Sequence, residues 1–302
     1  MTRQLPKHLL FADQTSTAIF LDGRHPSKVS GLHRVRRGTY LDVAEWQAAT
    51  AQKRYELLVR STVPQLKRPA PLAHESAAVL LGIPLIGSWP SRVQVLERTR
   101  TGGRSSALVV RRATRSMPLF VEVDGILVTS PARTAVDLAR TRSFASGLAA
   151  ADHVLASSLA TREELEVELD KTSRSGGHGR ARLVVTHADA RAESVGESLS
   201  RARMIELDLP LPVLQQEFYD EDGFIGRTDF WWPELKLIGE FDGRVKFSRE
   251  LSPGGDPHEA LWQEKQREDR LRRLGNGMVR WTWSQALKTD EFARLLAREG
   301  VR

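Results

Sequence analysis

The chain has 302 residues and a mass of 33.8 kDa, a length at which two domains are expected rather than one enlarged core. Its 40% hydrophobic and 27% charged residues exclude a disordered, collagen-like or coiled-coil chain, and the lack of cysteine excludes a disulfide framework, a thiolate zinc site, an iron–sulfur cluster and a cysteine nucleophile. The net charge of +7 (pI about 10.0) is unevenly divided: residues 192–302 carry 17 basic against 21 acidic side chains, a balance of −4, leaving +11 in residues 1–191.

A basic half suited to a polyanion is thus joined to a half that can gather carboxylates. No stretch approaches the length of a membrane span, and the opening Met1-Thr2-Arg3-Gln4 lacks the apolar core of a signal peptide, so a cytoplasmic location is expected. From the N-terminus, the basic run His33, Arg34, Arg36, Arg37, Gly38 precedes a short strand at Tyr40–Leu41. Asp42 with Glu45 reads as a capping box for a helix over about Val43–Leu66. A second helix starts near His74 and is stopped by Gly82 and Pro84.

A small sheet follows: Arg92–Leu96, Leu108–Val110, and Phe120–Val123 with Ile126–Val128 around the turn pair Asp124-Gly125. Ser130 caps a helix with Pro131 in its first turn, another helix covers about Gly147–Ser157, and Thr161 with Glu164 starts a third. The run Ser173-Arg174-Ser175-Gly176-Gly177-His178-Gly179 reads as a linker, with a domain boundary between 171 and 192. Beyond it the pattern is αβββαβ: a helix over Ser194–Glu206, strands at Val213–Tyr219, Phe224–Trp232 and Lys236–Asp242, a helix over His258–Leu274, and a strand over Met278–Trp283.

The hairpin between the second and third of these strands carries the chemistry. If Glu234 and Leu235 form its loop, Asp229 faces Glu240, with Cβ atoms about 4.5–5.5 Å apart, and like charges so placed repel. A hard divalent cation, magnesium or manganese, would answer that repulsion and could polarise a phosphate and activate water. Asp242 shares a face with Glu240, and Lys246 follows as a charge-neutralising group. The competing reading pairs Asp229 with Arg227 or Arg244, and Glu240 with Lys236, in ordinary surface bridges. On the next helix, where Glu264 and Glu268 stand four apart, as do Lys265 and Asp269, Arg267 and Asp269 either line this site or belong to a solvated face held by pairs four apart. Trp281 and Trp283 read as core.

The motifs Gly226-Arg227-Thr228-Asp229-Phe230-Trp231-Trp232-Pro233, Leu237-Ile238-Gly239-Glu240-Phe241-Asp242-Gly243 and Glu264-Lys265-Gln266-Arg267-Glu268-Asp269-Arg270-Leu271, with Val279-Arg280-Trp281, resemble PD-(D/E)XK nuclease-like domains akin to very-short-patch-repair endonucleases. The resemblance implies a restriction-endonuclease-like fold, a metal pair of Asp229 and Glu240, and Glu197 as the acidic residue of the first helix. It places Asp242 where the wider superfamily often has lysine, which passes the charge role to Lys246 or Lys265. Two outcomes stay open: metal-dependent hydrolysis of DNA, or binding without cutting.

In the first half, Arg34, Arg36 and Arg37, then Arg98, Arg100, Arg104, Arg111, Arg112 and Arg115, suit phosphate contact. His33–Tyr40, Leu72–Pro84 and Val128-Thr129-Ser130-Pro131-Ala132-Arg133-Thr134 with Asp137-Leu138-Ala139 resemble AbiEi-like antitoxins of type IV toxin–antitoxin systems. That likeness implies a DNA-binding winged-helix element, with Ser27–Gly38 as its wing, a mixed α/β domain, and a partner toxin. The expected class is therefore α/β of the α+β kind: a winged-helix-like region (1–65), a mixed α/β AbiEi-like domain (66–180) and a restriction-endonuclease-like αβββαβ domain (192–302). DNA, a toxin and magnesium or manganese are its expected partners, with no membrane and no small-molecule cofactor.

Overall fold

The computed structural model describes residues 9–11, 27, 29–98, 105–114, 117–243 and 257–302. The fold is α+β, and no described helix is long and apolar enough to cross a membrane. At the N-terminus β1 (Leu10–Phe11), β2 (Leu32–Arg36) and β3 (Thr39–Asp42) form an antiparallel sheet in the order β1-β3-β2. Gly38, at φ +77°, turns β2 into β3 in a conformation that favours glycine. Asp42 then caps α1 (Val43–Ala48), its Oδ1 accepting from the Ala44 and Glu45 amides at 2.8 and 3.2 Å.

The single helix expected over 43–66 is two helices. Ala49 and Thr50 are extended, and the Thr50 hydroxyl accepts from Lys53 N at 3.2 Å to start α2 (Ala51–Thr62). A threonine that can satisfy a helix-end amide with its own side chain competes with continuation of the preceding helix. The α2 helix then serves two apolar clusters. Leu57 packs with Leu9, Phe11 and Leu41, whereas Tyr55 and Val59 pack with Val63, Leu72, Val93, Val95, Val109 and Val128.

The second of those clusters belongs to the middle of the chain. Here α3 (His74–Leu81) ends at Gly82, φ +74°. β4 (Val93–Arg98) pairs in parallel with β5 (Val109–Thr114). β6 (Phe120–Val123) and β7 (Ile126–Thr129) form a hairpin whose turn residues Asp124 and Gly125 both have positive φ, 49° and 76°. Leu72 stitches the two small sheets together: its amide donates to Leu127 O and its carbonyl accepts from Thr129 N, both at 2.9 Å, while Leu96 N donates to Pro71 O at 2.8 Å.

A helical layer follows: α4 (Pro131–Thr141), α5 (Phe144–Ala156), α6 (Arg162–Lys171), α7 (His178–His187) and α8 (Val195–Glu206). The caps expected at Ser130 and Thr161 are present, the latter as a full capping box. α5 begins earlier than its expected start at Gly147, because Ser143 caps it. Gly147 lies instead where the helix crosses α4, and a Cβ there would sit 2.7 Å from Ala139 Cα.

The expected linker is a latched turn leading into α7, a helix the glycines conceal. Arg180 donates to the Ala139 and Arg140 carbonyls at 3.2 and 2.6 Å, and Arg140 Nε donates to Gly176 O at 3.2 Å. The turn thereby satisfies carbonyls at the C-terminus of α4, which no intrahelical donor can reach. Gly177 has φ +79°, and a Cβ on it would stand 2.1 Å from Arg140 O. Gly177→Ala should therefore destabilise the chain by about 2–3 kcal/mol in urea unfolding. Gly179→Ala, with nothing within 4 Å of the new carbon, should not, and equal midpoints for the two variants would refute the latch.

One apolar cluster extends from Ala78 to Val301 and takes in residues on both sides of the 171–192 stretch. Fully buried Asp152 on α5 reinforces that continuity by accepting from Ser198 Oγ and Arg201 Nη1 on α8, both at 2.8 Å, and from Asp189 N at 2.8 Å. Burial pushes its carboxyl up to about 6 against the pull of Arg201 and the two hydrogen bonds. A carboxyl raised in the folded state holds its proton where the unfolded chain has lost it. Its contribution is therefore full below about pH 4 and is lost as pH rises through about 6. Wild type should lose stability relative to Asp152→Asn over that interval. A difference in urea midpoint that stays flat from pH 4 to 7 would contradict this assignment.

The C-terminal sheet has the order β11-β10-β9-β8, from β8 (Val213–Asp220), β9 (Gly223–Trp232), β10 (Leu237–Asp242) and β11 (Gly277–Thr282). β8, β9 and β10 are antiparallel neighbours, and β11 runs parallel to β10 after the crossover helix α9 (Pro257–Arg273). With α8 in front, the αβββαβ order is the one expected. Alternation divides the side chains. Phe230, Trp232, Phe241 and Trp281 enter the large cluster, while Phe218, Ile225, Ile238 and Leu271 form a separate one with Trp231 and Met278.

The last strand stops at Thr282, one residue short of expectation. Thr282 and Gln285 form a capping box, so Trp283 opens α10 (Trp283–Leu287), followed by α11 (Thr289–Arg298). Trp281 is core as expected, 1% exposed, with Nε1 donating to Ser200 Oγ at 2.7 Å.

Candidate functional site

The basic hairpin β2–β3 presents Arg34 and Arg37 to solvent, with Arg36 half-buried. None of the three has a carboxylate partner among the described residues, and Arg36 Nε and Nη1 are buried without a hydrogen bond. Burial lowers the Arg36 pKa from the usual arginine value. The hairpin is braced from below. His33 stacks on Trp46 at 4.2 Å, and Arg54 lies 5.3 Å over the same ring while donating to the Trp46 and Gln47 carbonyls, each at 3.0 Å. Most of residues 8–30, where a recognition helix would fall, lie outside the described residues, as do Arg100, Arg104 and Arg115.

The stretch between residues 70 and 142 holds a buried polar network. Glu75, 3% exposed, accepts from Gln94 Nε2 and Arg142 Nε. Gln94 Oε1 accepts from Arg112 Nε at 2.7 Å, and Ser76 Oγ accepts from Gln94 N at 2.8 Å and meets Tyr55 OH at 2.6 Å. Asp137 is held by Arg133 and Arg140, both at 2.9 Å. His74 starts α3, as expected, with φ +53°, and burial lowers its pKa. Each carboxylate here is already engaged by a guanidinium, so the network ties α3, β4 and α4 together and presents no open reactive group.

In the C-terminal sheet the hairpin pairs Leu237 with Trp232, Ile238 with Trp231 and Gly239 with Phe230, and Asp229 and Glu240 follow just beyond this last ladder pair. Asp229 Oδ2 accepts from Phe241 N at 2.9 Å. Glu240, 7% exposed, is held on both oxygens, Oε1 by Arg267 Nη2 at 2.7 Å and Oε2 by Arg280 Nη2 at 3.1 Å. Burial pushes its carboxyl above the usual range, and Arg267 and Arg280 draw it part of the way back. Arg280 is the neighbour of Glu240 in the parallel β10–β11 register, and it also reaches Glu264 at 2.5 Å and Glu268 at 3.4 Å.

The remaining expected site residues sit around this centre with their own partners. Glu197, buried on α8, accepts from Glu193 N at 3.0 Å and Gln215 Nε2 at 2.9 Å, and burial raises its pKa. Asp242 is half-buried, with Arg280 Nη1 4.0 Å away. Arg267, expected to touch nucleic acid, spends its amino groups on Glu240, on Glu264 at 3.1 Å and on Arg227 O at 2.9 Å. Arg227 pairs with Glu193 at 2.5 Å, not with Asp229 as in the surface-bridge reading. Lys246 and Arg244 lie outside the described residues. Among the described residues no group of three or more His, Asp or Glu side chains gathers as a metal site, and both Glu240 oxygens face guanidiniums, at 2.7 and 3.1 Å.

The fold and these sites define an α+β protein with a basic hairpin ahead of a mixed domain and a charge-balanced αβββαβ unit behind it. Residues 70–185 match the family model of the AbiEi antitoxin C-terminal domain. The chain is 37% identical over 179 residues to two Mycobacterium tuberculosis proteins, the uncharacterized proteins MT2308 and Rv2248 from different strains. Each match covers 58% of this chain and 61% of the relative. The crystal structure of the RV2827C protein from Mycobacterium tuberculosis is similar at 18% identity and a TM-score of 0.33, covering 63% of this chain and 73% of that one.

Proposed function

We propose that the chain is an antitoxin-type regulator that binds DNA through its basic first half and a toxin through its AbiEi-like domain, with a nuclease-like C-terminal unit that binds rather than cuts. The family match over residues 70–185 carries this reading, and the three hairpin arginines ahead of it, free of carboxylate partners among the described residues, supply the phosphate contacts. Hydrolysis is the competing reading. It draws on the αβββαβ order and on Asp229 and Glu240 just beyond the last ladder pair of the hairpin, but Glu240 is already neutralised by two arginines.

The test is one preparation assayed two ways. Retardation of linear DNA should weaken steeply as salt rises, while supercoiled plasmid should stay intact with magnesium, manganese or chelator. Cleavage that requires metal and disappears in both Asp229→Ala and Glu240→Ala would replace this reading with the hydrolytic one. Absence of any retardation would remove it.

A further inference from the structure

The centre at Glu240 is built with more care than a chance surface pairing. Glu240, Arg280 and Arg267 come from β10, β11 and α9, and two of them are fixed side by side by the parallel register. Glu264 and Glu268, one turn apart on α9, share the same guanidiniums: Glu264 meets Arg267 Nη1, and both meet the Arg280 Nη2 that also faces Glu240. The neighbouring strand is cut away to admit Arg267: a Cβ at Gly226 would lie 2.7 Å from Arg267 Nε. The glycine that opens the Gly226-Arg227-Thr228-Asp229 motif thus clears space for a guanidinium, whose Nη2 then bonds the next carbonyl, Arg227 O, at 2.9 Å.

We infer that Arg267 and Arg280 stand in the place where the paired carboxylates of this hairpin would otherwise hold a divalent cation, making the centre a metal-independent ion-pair lock between β10, α9 and β11. Two guanidiniums supply the same two positive charges as one such ion. A magnesium ion needs oxygen ligands at about 2.0–2.1 Å, and it would have to share Glu240 with guanidiniums already at 2.7 and 3.1 Å.

The experiment is manganese titration of the full chain, with free ion counted by electron paramagnetic resonance and Glu240→Gln as the reference for ions bound elsewhere. Wild type should hold no Glu240-dependent manganese at about 1 mM. The Arg267→Gln/Arg280→Gln variant should gain one ion, and adding Glu240→Gln should remove it. A Glu240-dependent ion in wild type overturns the inference. So does a folded double variant that gains none. Should that variant not fold, the wild-type arm decides alone, absence of the ion sustaining the inference and presence refuting it. DNA retardation is read separately, so either result leaves the proposed role of the basic half standing or falling on its own test.

Discussion

Truncating Arg267 to alanine is expected to destabilise the chain by about 3–5 kcal/mol, the usual cost of removing one partner from a buried ion pair. The size follows from what is left behind. Glu240 is 7% exposed and would keep only Arg280, itself shared with Glu264 and Glu268. Urea unfolding should show a large fall in midpoint for Arg267→Ala, and the added change Glu240→Gln should recover part of it, by a coupling of about 0.5–3 kcal/mol. A midpoint shifted by less than about 1 kcal/mol, the range of exposed pairs, would mean that the pair is not a buried one. Arg272 supplies the contrast. It pairs with Glu268 at 2.8 Å on a solvent-facing stretch, with half of its side chain exposed, and its loss should cost no more than an ordinary surface pair.

Replacing Arg34, Arg36 and Arg37 together by alanine should weaken DNA binding on the order of a hundredfold near physiological salt and flatten the dependence of log affinity on log salt by about 2.7, some 0.9 for each lost phosphate contact. The hairpin that carries them is fixed by backbone pairing and by the His33–Trp46 stack, so the substitution removes charge without removing its support. An unchanged slope would show that the hairpin does not meet phosphate. A lowered affinity with the same slope would point instead to distortion of the hairpin.

Local chemistry was legible wherever one residue decides a backbone conformation. Ser130 before Pro131, Thr161 with Glu164, and Asp124-Gly125 set caps and a turn that the structure reproduces, and the short connection at Pro233-Glu234 sets the pairing of Leu237 to Gly239 with Phe230 to Trp232. Two misses had local signals that went unused: Thr50 as a helix-starting hydroxyl, and Thr282 with Gln285 as a capping box. The α7 helix was hidden because Gly176 and Gly177 read as a flexible linker, whereas their work is to fit against the end of α4.

The partners of Glu240 lay deeper still. Arg267 and Arg280 are 27 and 40 positions away from it, and only the packing of α9 and the parallel placement of β11 bring them in. Charge spacing along α9 displays its own four-residue pairs and says nothing of a carboxylate on another element. The buried group around Glu75 was missed for the same reason, since its partners come from α3, β4, β5 and the end of α4.

The position of α2 between two apolar clusters has a geometrical result. Leu57 faces one cluster, and Tyr55 and Val59 on either side of it in sequence face the other, so one short stretch of this helix holds the arginine hairpin on one side and the small sheets on the other. The link between the hairpin and the small sheets of β4 to β7 thus runs across the thickness of α2, through residues 55 to 59, and not along its length.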